Sequence, residues 1–141
     1  MSIQTVGIIG AGTMGNGIAQ ACAVSGVNVV MVDISEAAVA KGIATVTSSL
    51  DRLIKKEKMT EAEKTAALAR IHGSTQYQDL QKAQLVIEAA TENFDLKVKI
   101  LKQVDSLLAE DVVVASNTSS ISITKLAAAT TRADRFIGMH F

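Results

Sequence analysis

The sequence predicts an α/β fold built on a doubly wound, mostly parallel sheet, and three observations carry that prediction. Short apolar runs rich in Val and Ile recur along the chain, and longer stretches with apolar residues at helical spacing separate them. The first run empties directly into Gly10, Gly12 and Gly15, spaced G-x-G-x-x-G. Strands alternating with helices require crossover connections, and hence a parallel sheet.

Taken in order, Ile3 to Ile9 reads as a buried strand and Thr13 to Ser25 as a helix that Gly26 stops. Val27 to Asp33 is the second strand. Ser35 and Glu36 offer an N-cap and a first-turn charge to a long helix from about Ala37 to Lys58. Thr60-Glu61-Ala62-Glu63 has the form of a capping box opening a helix to about Ile71, with Ala62, Ala66, Ala67 and Leu68 able to face inward. These two helices read as a hairpin inserted at about residues 37–71. Gly73 ends it, Ser74 to Tyr77 suits a short strand, and Ala83 to Ala90 is a central strand. Phe94, Val98, Leu101, Val104, Leu107 and Leu108 mark a helix over Asn93 to Leu108. Val112 to Ala115 is the next strand, Ile123 to Ala129 a short helix, and Phe136 to Phe141 one more strand.

The glycine spacing has a chemical reading in this context. Gly10 permits a tight turn, Gly12 lets the backbone approach a pyrophosphate, and Gly15 lets the first helix lie against the first strand. Thr13 and Met14 complete the loop, whose unpaired helix N–H groups suit a phosphate. Asp33 closes the second strand 18 residues beyond Gly15, where a carboxylate accepts hydrogen bonds from the adenosine ribose and repels a 2′-phosphate. The predicted fold is therefore Rossmann-type and its cofactor NAD rather than NADP. The competing reading of Asp33 is a cap for the helix that begins near Ser35.

Composition narrows the function classes. The 141 residues suit one domain over the whole chain, 1–141, and 48% of them are hydrophobic, enough for a core. Lys plus Arg equals Asp plus Glu at 14 each, and aromatics make up 3%, so nothing recommends nucleic acid or an anionic membrane as partner. The first apolar run is too short for a membrane span and lacks a signal-peptide pattern, which points to a cytoplasmic protein. Cys22, the sole cysteine, lies among alanines of the first helix and reads as a small packed thiol. No metal-ligand pattern is visible. His72, before Gly73, reads as a surface residue.

Ser116-Asn117-Thr118-Ser119-Ser120 and Gly138-Met139-His140-Phe141, with Gly10 to Gly15 and Glu88-Ala89-Ala90-Thr91-Glu92, resemble the 3-hydroxyacyl-CoA dehydrogenases across all 141 residues, nearest the short bacterial 3-hydroxybutyryl-CoA type. The resemblance implies an NAD-dependent oxidoreductase interconverting a 3-hydroxyacyl-CoA and a 3-oxoacyl-CoA. It makes His140 the general base for the 3-hydroxyl and the acid in the reverse direction, and sets Ser119 on the substrate oxygen, in contact with the cofactor. Glu92 and Lys97 would line the cofactor pocket. Ser49 and Lys56, on the helical hairpin, would contact coenzyme A, with Lys55 and Lys58 adding positive charge. Without the family, Ser119 reads equally as a helix cap and the lysine cluster as a solvated helix end.

The family continues past G-M-H-F with a proline-containing segment, a glutamate that orients the histidine, an active-site asparagine and a helical domain that completes the cleft and a homodimer. This sequence contains no proline and ends at Phe141. It is thus expected to be the N-terminal NAD-binding part of a longer enzyme, binding NAD(H) but turning over poorly alone. Two other functions fit the same residues: a non-catalytic NAD-binding module, and a related dehydrogenase acting on a hydroxy acid that carries no CoA.

Overall fold

The computed structural model describes residues 2–117 and 123–139. Six strands, β1 (Thr5–Ile9), β2 (Asn28–Val32), β3 (Ile71–Ser74), β4 (Leu85–Glu88), β5 (Val113–Asn117) and β6 (Phe136–Met139), form one sheet in the order β3-β2-β1-β4-β5-β6. Every pairing is parallel. The chain winds outward from β1 to β3, crosses back to lay β4 against β1, and winds outward again to β6. The switch between β1 and β4 opens a crevice at the carboxyl ends of the strands, where such sheets bind ligands.

Side chains of the strands alternate between two cores. Val29 and Met31 join Val6, Ile8 and Ile71 beneath α1 (Thr13–Val24), α2 (Glu36–Lys55) and α3 (Glu61–Ala69). Val30 and Val32 join Ile9, Val86 and Val114 beneath α4 (Phe94–Asp105) and α5 (Ile123–Ala127), with Leu80 from the 3-10 turn at Tyr77–Lys82. Both faces being covered explains why the strands read as continuous apolar runs.

The boundaries differ from the sequence expectations in instructive places. The third strand is Ile71–Ser74, not Ser74 to Tyr77: it pairs with β2 from Val29 opposite Ile71 to Val32 opposite Ser74. It stops there because the Ser74 hydroxyl turns to Asp79 and accepts from the Gln76 amide, closing a turn into the 3-10 segment. α3 buries Ala67 and half-buries Leu68, but Ala62 and Ala66 are exposed. Its capping box is present, with Thr60 and Glu63 each accepting from the other's backbone amide at 3.1 Å. Gly26 ends α1 with φ +94°.

One pair of charges ties the second half of the fold together. Arg132 is 3% exposed and uses all five guanidinium donors: on the Asp105 carboxylate and on the carbonyls of Asp105, Leu108, Ala109 and Val112. It thereby satisfies the last carbonyl of α4 and three carbonyls of the segment that leads from α4 to β5. Thr131 donates its amide and hydroxyl to Asp105 Oδ2 at 2.9 and 2.8 Å. Burial pushes the Asp105 carboxyl up, but the bonds from Arg132 and Thr131 together outweigh it and hold it below the ordinary aspartate range. Among the described residues no helix is long and apolar enough to cross a membrane, and no cluster of His, Cys, Asp or Glu is arranged to hold a metal.

Candidate nucleotide-binding site

The glycine loop joins β1 to α1 at the switch point. Gly10 has φ +109°, and a Cβ there would stand 2.8 Å from the Ala89 carbonyl oxygen, so both the turn and the approach of β4 require glycine. A Cβ on Gly15 would lie 1.7 Å from the Gly10 carbonyl oxygen, so the close seating of α1 on β1 depends on its absence. Gly12 is different. Its backbone is extended and a Cβ would meet nothing within 4 Å. The fold leaves that space open, which is the room a pyrophosphate needs to reach the backbone.

Helix α1 begins at Gly12 with no side-chain cap, whereas Ser35, Thr60 and Asn93 each cap the helix they precede. Thr13 and Met14 are exposed at that bare end. Helix amides left without a partner and turned toward open space favour an anion.

Asp33 stands beside this loop and is half-buried. Its Oδ2 accepts from the Ala11 amide at 2.8 Å and its Oδ1 from the Ile34 amide at 2.6 Å. It does not cap α2; the Ser35 hydroxyl does, accepting from the Ala38 amide at 3.1 Å. Each carboxylate oxygen retains acceptor capacity for a ribose hydroxyl. Two cavities meet at Asp33. One, of about 250 Å³, runs from Gly10 past Ile34, Tyr77 and Ala90 to α4. The other, of about 260 Å³, lies between Gly12, Thr13 and Asn16 and the α2 residues Ala38, Lys41 and Gly42. Ile34 is 90% exposed, an apolar face presented to the first cavity. The Tyr77 hydroxyl is pushed above its ordinary pKa by burial and then by the Asp33 charge, so it remains a neutral donor.

The remaining expected site residues divide. Glu92 is exposed in the loop between β4 and α4. Lys97 is wholly buried, its ammonium paired with Glu88 at the end of β4, and it is not among the residues lining the two cavities at Asp33. The length of its stem lets a first-turn residue of α4 reach the carboxyl ends of β4 and β5. Ser49 is half-buried and Lys56 exposed on the far part of α2. At the helical rise, Lys56 is roughly 22 Å along the axis from Lys41, so these two lie apart from the glycine loop. Ser119 and His140 fall outside the described residues. Sequence reasoning missed Gly42, whose Cβ would lie 2.6 Å from the Ala11 carbonyl oxygen, and whose absence lets α2 pass close to the glycine loop. It also missed Tyr77, for which no local pattern existed.

The profile of the 3-hydroxyacyl-CoA dehydrogenase NAD-binding domain matches residues 5–141. The chain belongs to that family. Within it, 139 residues are 48% identical to the 3-hydroxybutyryl-CoA dehydrogenase of Bradyrhizobium diazoefficiens, covering 99% of this chain and 47% of the relative. The corresponding enzyme of Clostridioides difficile is 40% identical over 134 residues, 95% of this chain and 48% of the relative. The crystal structure of (S)-3-hydroxybutyryl-CoA dehydrogenase from Ralstonia eutropha superposes with a TM-score of 0.98 at 78% identity, covering 99% of this chain and 50% of that one. The chain thus spans about half the length of these members of the 3-hydroxyacyl-CoA dehydrogenase family. The Rossmann-type fold and the NAD-binding class follow from family membership. The open space at Gly12 and the half-buried Asp33 carboxylate beside it are compatible with that cofactor.

Proposed function

We propose that this chain is the NAD-binding part of a dehydrogenase that interconverts (S)-3-hydroxyacyl-CoA and 3-oxoacyl-CoA, with 3-hydroxybutyryl-CoA and acetoacetyl-CoA as its pair. The observation that carries the proposal is the match over nearly the whole chain to relatives named for that activity. NAD supplies the hydride acceptor when bound. Gly10 and Gly15 shape the loop, Gly12, Thr13 and Met14 receive the pyrophosphate, and Asp33 selects the unphosphorylated ribose. Glu92 flanks the nicotinamide end.

On this reading His140 takes the 3-hydroxyl proton during oxidation and returns it during reduction, while Ser119 holds the reacting oxygen. Ser49 and Lys56 extend the substrate site along α2 toward the CoA phosphates. A helical domain supplied beyond this chain completes the cleft and a homodimer in the cytoplasm. The test is NADH oxidation driven by acetoacetyl-CoA. The expected result is slow turnover by this chain that His140→Gln abolishes. Equal rates with and without the histidine would contradict its role, and saturable NADH binding with no turnover under any condition would leave the nucleotide function alone standing.

A further inference from the structure

Three polar side chains, Glu88, Lys97 and Ser116, are each 0% exposed where β4, β5 and the first turn of α4 converge. Glu88 and Ser116 stand opposite each other in the parallel register of β4 and β5. The Ser116 hydroxyl donates to Glu88 Oε1 at 2.7 Å. Lys97 Nζ donates to the same oxygen, to Ser116 Oγ at 3.3 Å and to the Asn117 carbonyl at 3.4 Å, so all three ammonium donors are spent. The other Glu88 oxygen accepts from the Ala90 amide at 2.8 Å.

Burying an ion pair is a poor way to stabilise a fold, because well-packed apolar residues of similar volume usually do at least as well. What this cluster does that an apolar plug does not is hold two backbone segments by direction. Through Glu88 it grips Ala90, which lines the cavity at Asp33. Through Lys97 it grips Asn117, the last residue of β5. We infer that Glu88, Lys97 and Ser116 form a positioning cluster that locks the loop after β4 to the end of β5, holding the Ala90 wall of the cavity at Asp33 in register with Asn117. The inference rests on the nucleotide reading of the crevice only for its second readout.

The experiment replaces the cluster by apolar residues in the chain, Glu88→Leu with Lys97→Met and Ser116→Ala, and measures amide hydrogen exchange, melting and NADH affinity. The Ala90 amide reports the cluster directly, and the Ala89 amide, held by the Ile9 carbonyl at 2.8 Å, is an internal reference. The expected result is a folded protein in which Ala90 exchange accelerates at least tenfold, Ala89 stays slow, and the Kd for NADH rises about tenfold. Unchanged Ala90 exchange and Kd would overturn the inference, as would an unfolded triple variant, which would make the cluster a condition of folding. Ser116→Ala alone, which leaves the ion pair in place, provides an independent arm: about threefold faster Ala90 exchange is expected, and no change contradicts the coupling. If the unsubstituted chain failed to bind NADH while the exchange pattern held, the nucleotide reading would fail and the positioning role would stand.

Discussion

The Ala11 amide donates to Asp33 Oδ2 at 2.8 Å, tying the glycine loop to the end of the neighbouring strand. One carboxylate therefore shapes the loop from within while presenting its remaining lone pairs to the crevice. Removing it loosens the loop as well as deleting the proposed ribose acceptor. Asp33→Ala should weaken NADH binding by tenfold or more, the scale of one hydrogen bond to a charged group, about 1.5–3 kcal/mol. The NADH to NADPH preference should shrink with it. Fluorescence titration of both nucleotides checks this; unchanged NADH affinity would remove Asp33 from the ribose site.

Gly12 and Gly15 separate ligand binding from folding. Gly15→Ala places a methyl against the Gly10 carbonyl oxygen and should cost about 1–3 kcal/mol or more of stability through overpacking. Gly12→Ala enters open space with an extended backbone and should stay within about 0.5 kcal/mol of the parent. It should nonetheless weaken NADH binding strongly. Urea unfolding and nucleotide titration of the two variants side by side give the answer.

Arg132 and Asp105 hold the α4 end of the molecule. Arg132→Met strands a buried carboxylate and should destabilise by about 3–5 kcal/mol in urea unfolding. The pH dependence follows from Asp105. Its folded pKa lies below its unfolded value, so its contribution is fully present above the unfolded pKa near ~3.9 and is lost as pH falls through the folded value. Unfolding free energy should therefore drop more steeply below about pH 4 in the parent than in Asp105→Asn. Parallel slopes would assign the acid sensitivity elsewhere.

Lys56 lies far along α2 from the glycine loop. Lys56→Glu should accordingly leave NADH affinity within about twofold while weakening coenzyme A binding several-fold, as expected for one charge-assisted phosphate contact. Isothermal titration with each ligand distinguishes this from a solvated lysine, for which neither affinity moves.

Much of this fold is written locally. Strand and helix order, the stop at Gly26, the capping box at Thr60 and Glu63, and the glycine loop all depend on residues near one another in the chain, and each is found where its pattern lies. The misplaced third strand is an edge strand of four residues containing His72 and Gly73, too short and too polar to show a period. Ala62 and Ala66 gave no directional signal, because alanine is tolerated on either face of a helix. The buried ionic groups were the least legible. Arg132 and Asp105 are 27 residues apart and meet only through the fold. Lys97 resembles any surface lysine of an amphipathic helix, and the hint lay in its partner: Glu88, a charge inside an apolar strand, demands a buried cation.

The open loop at Gly12 and the carboxylate of Asp33 are proposed to form an NAD site. Titrating the chain with NADH and NADPH in parallel tests it most directly. Saturable binding of NADH is expected, with NADPH at least tenfold weaker. Equal affinity for the two would contradict the role of Asp33, and no saturable binding of either would contradict the site itself.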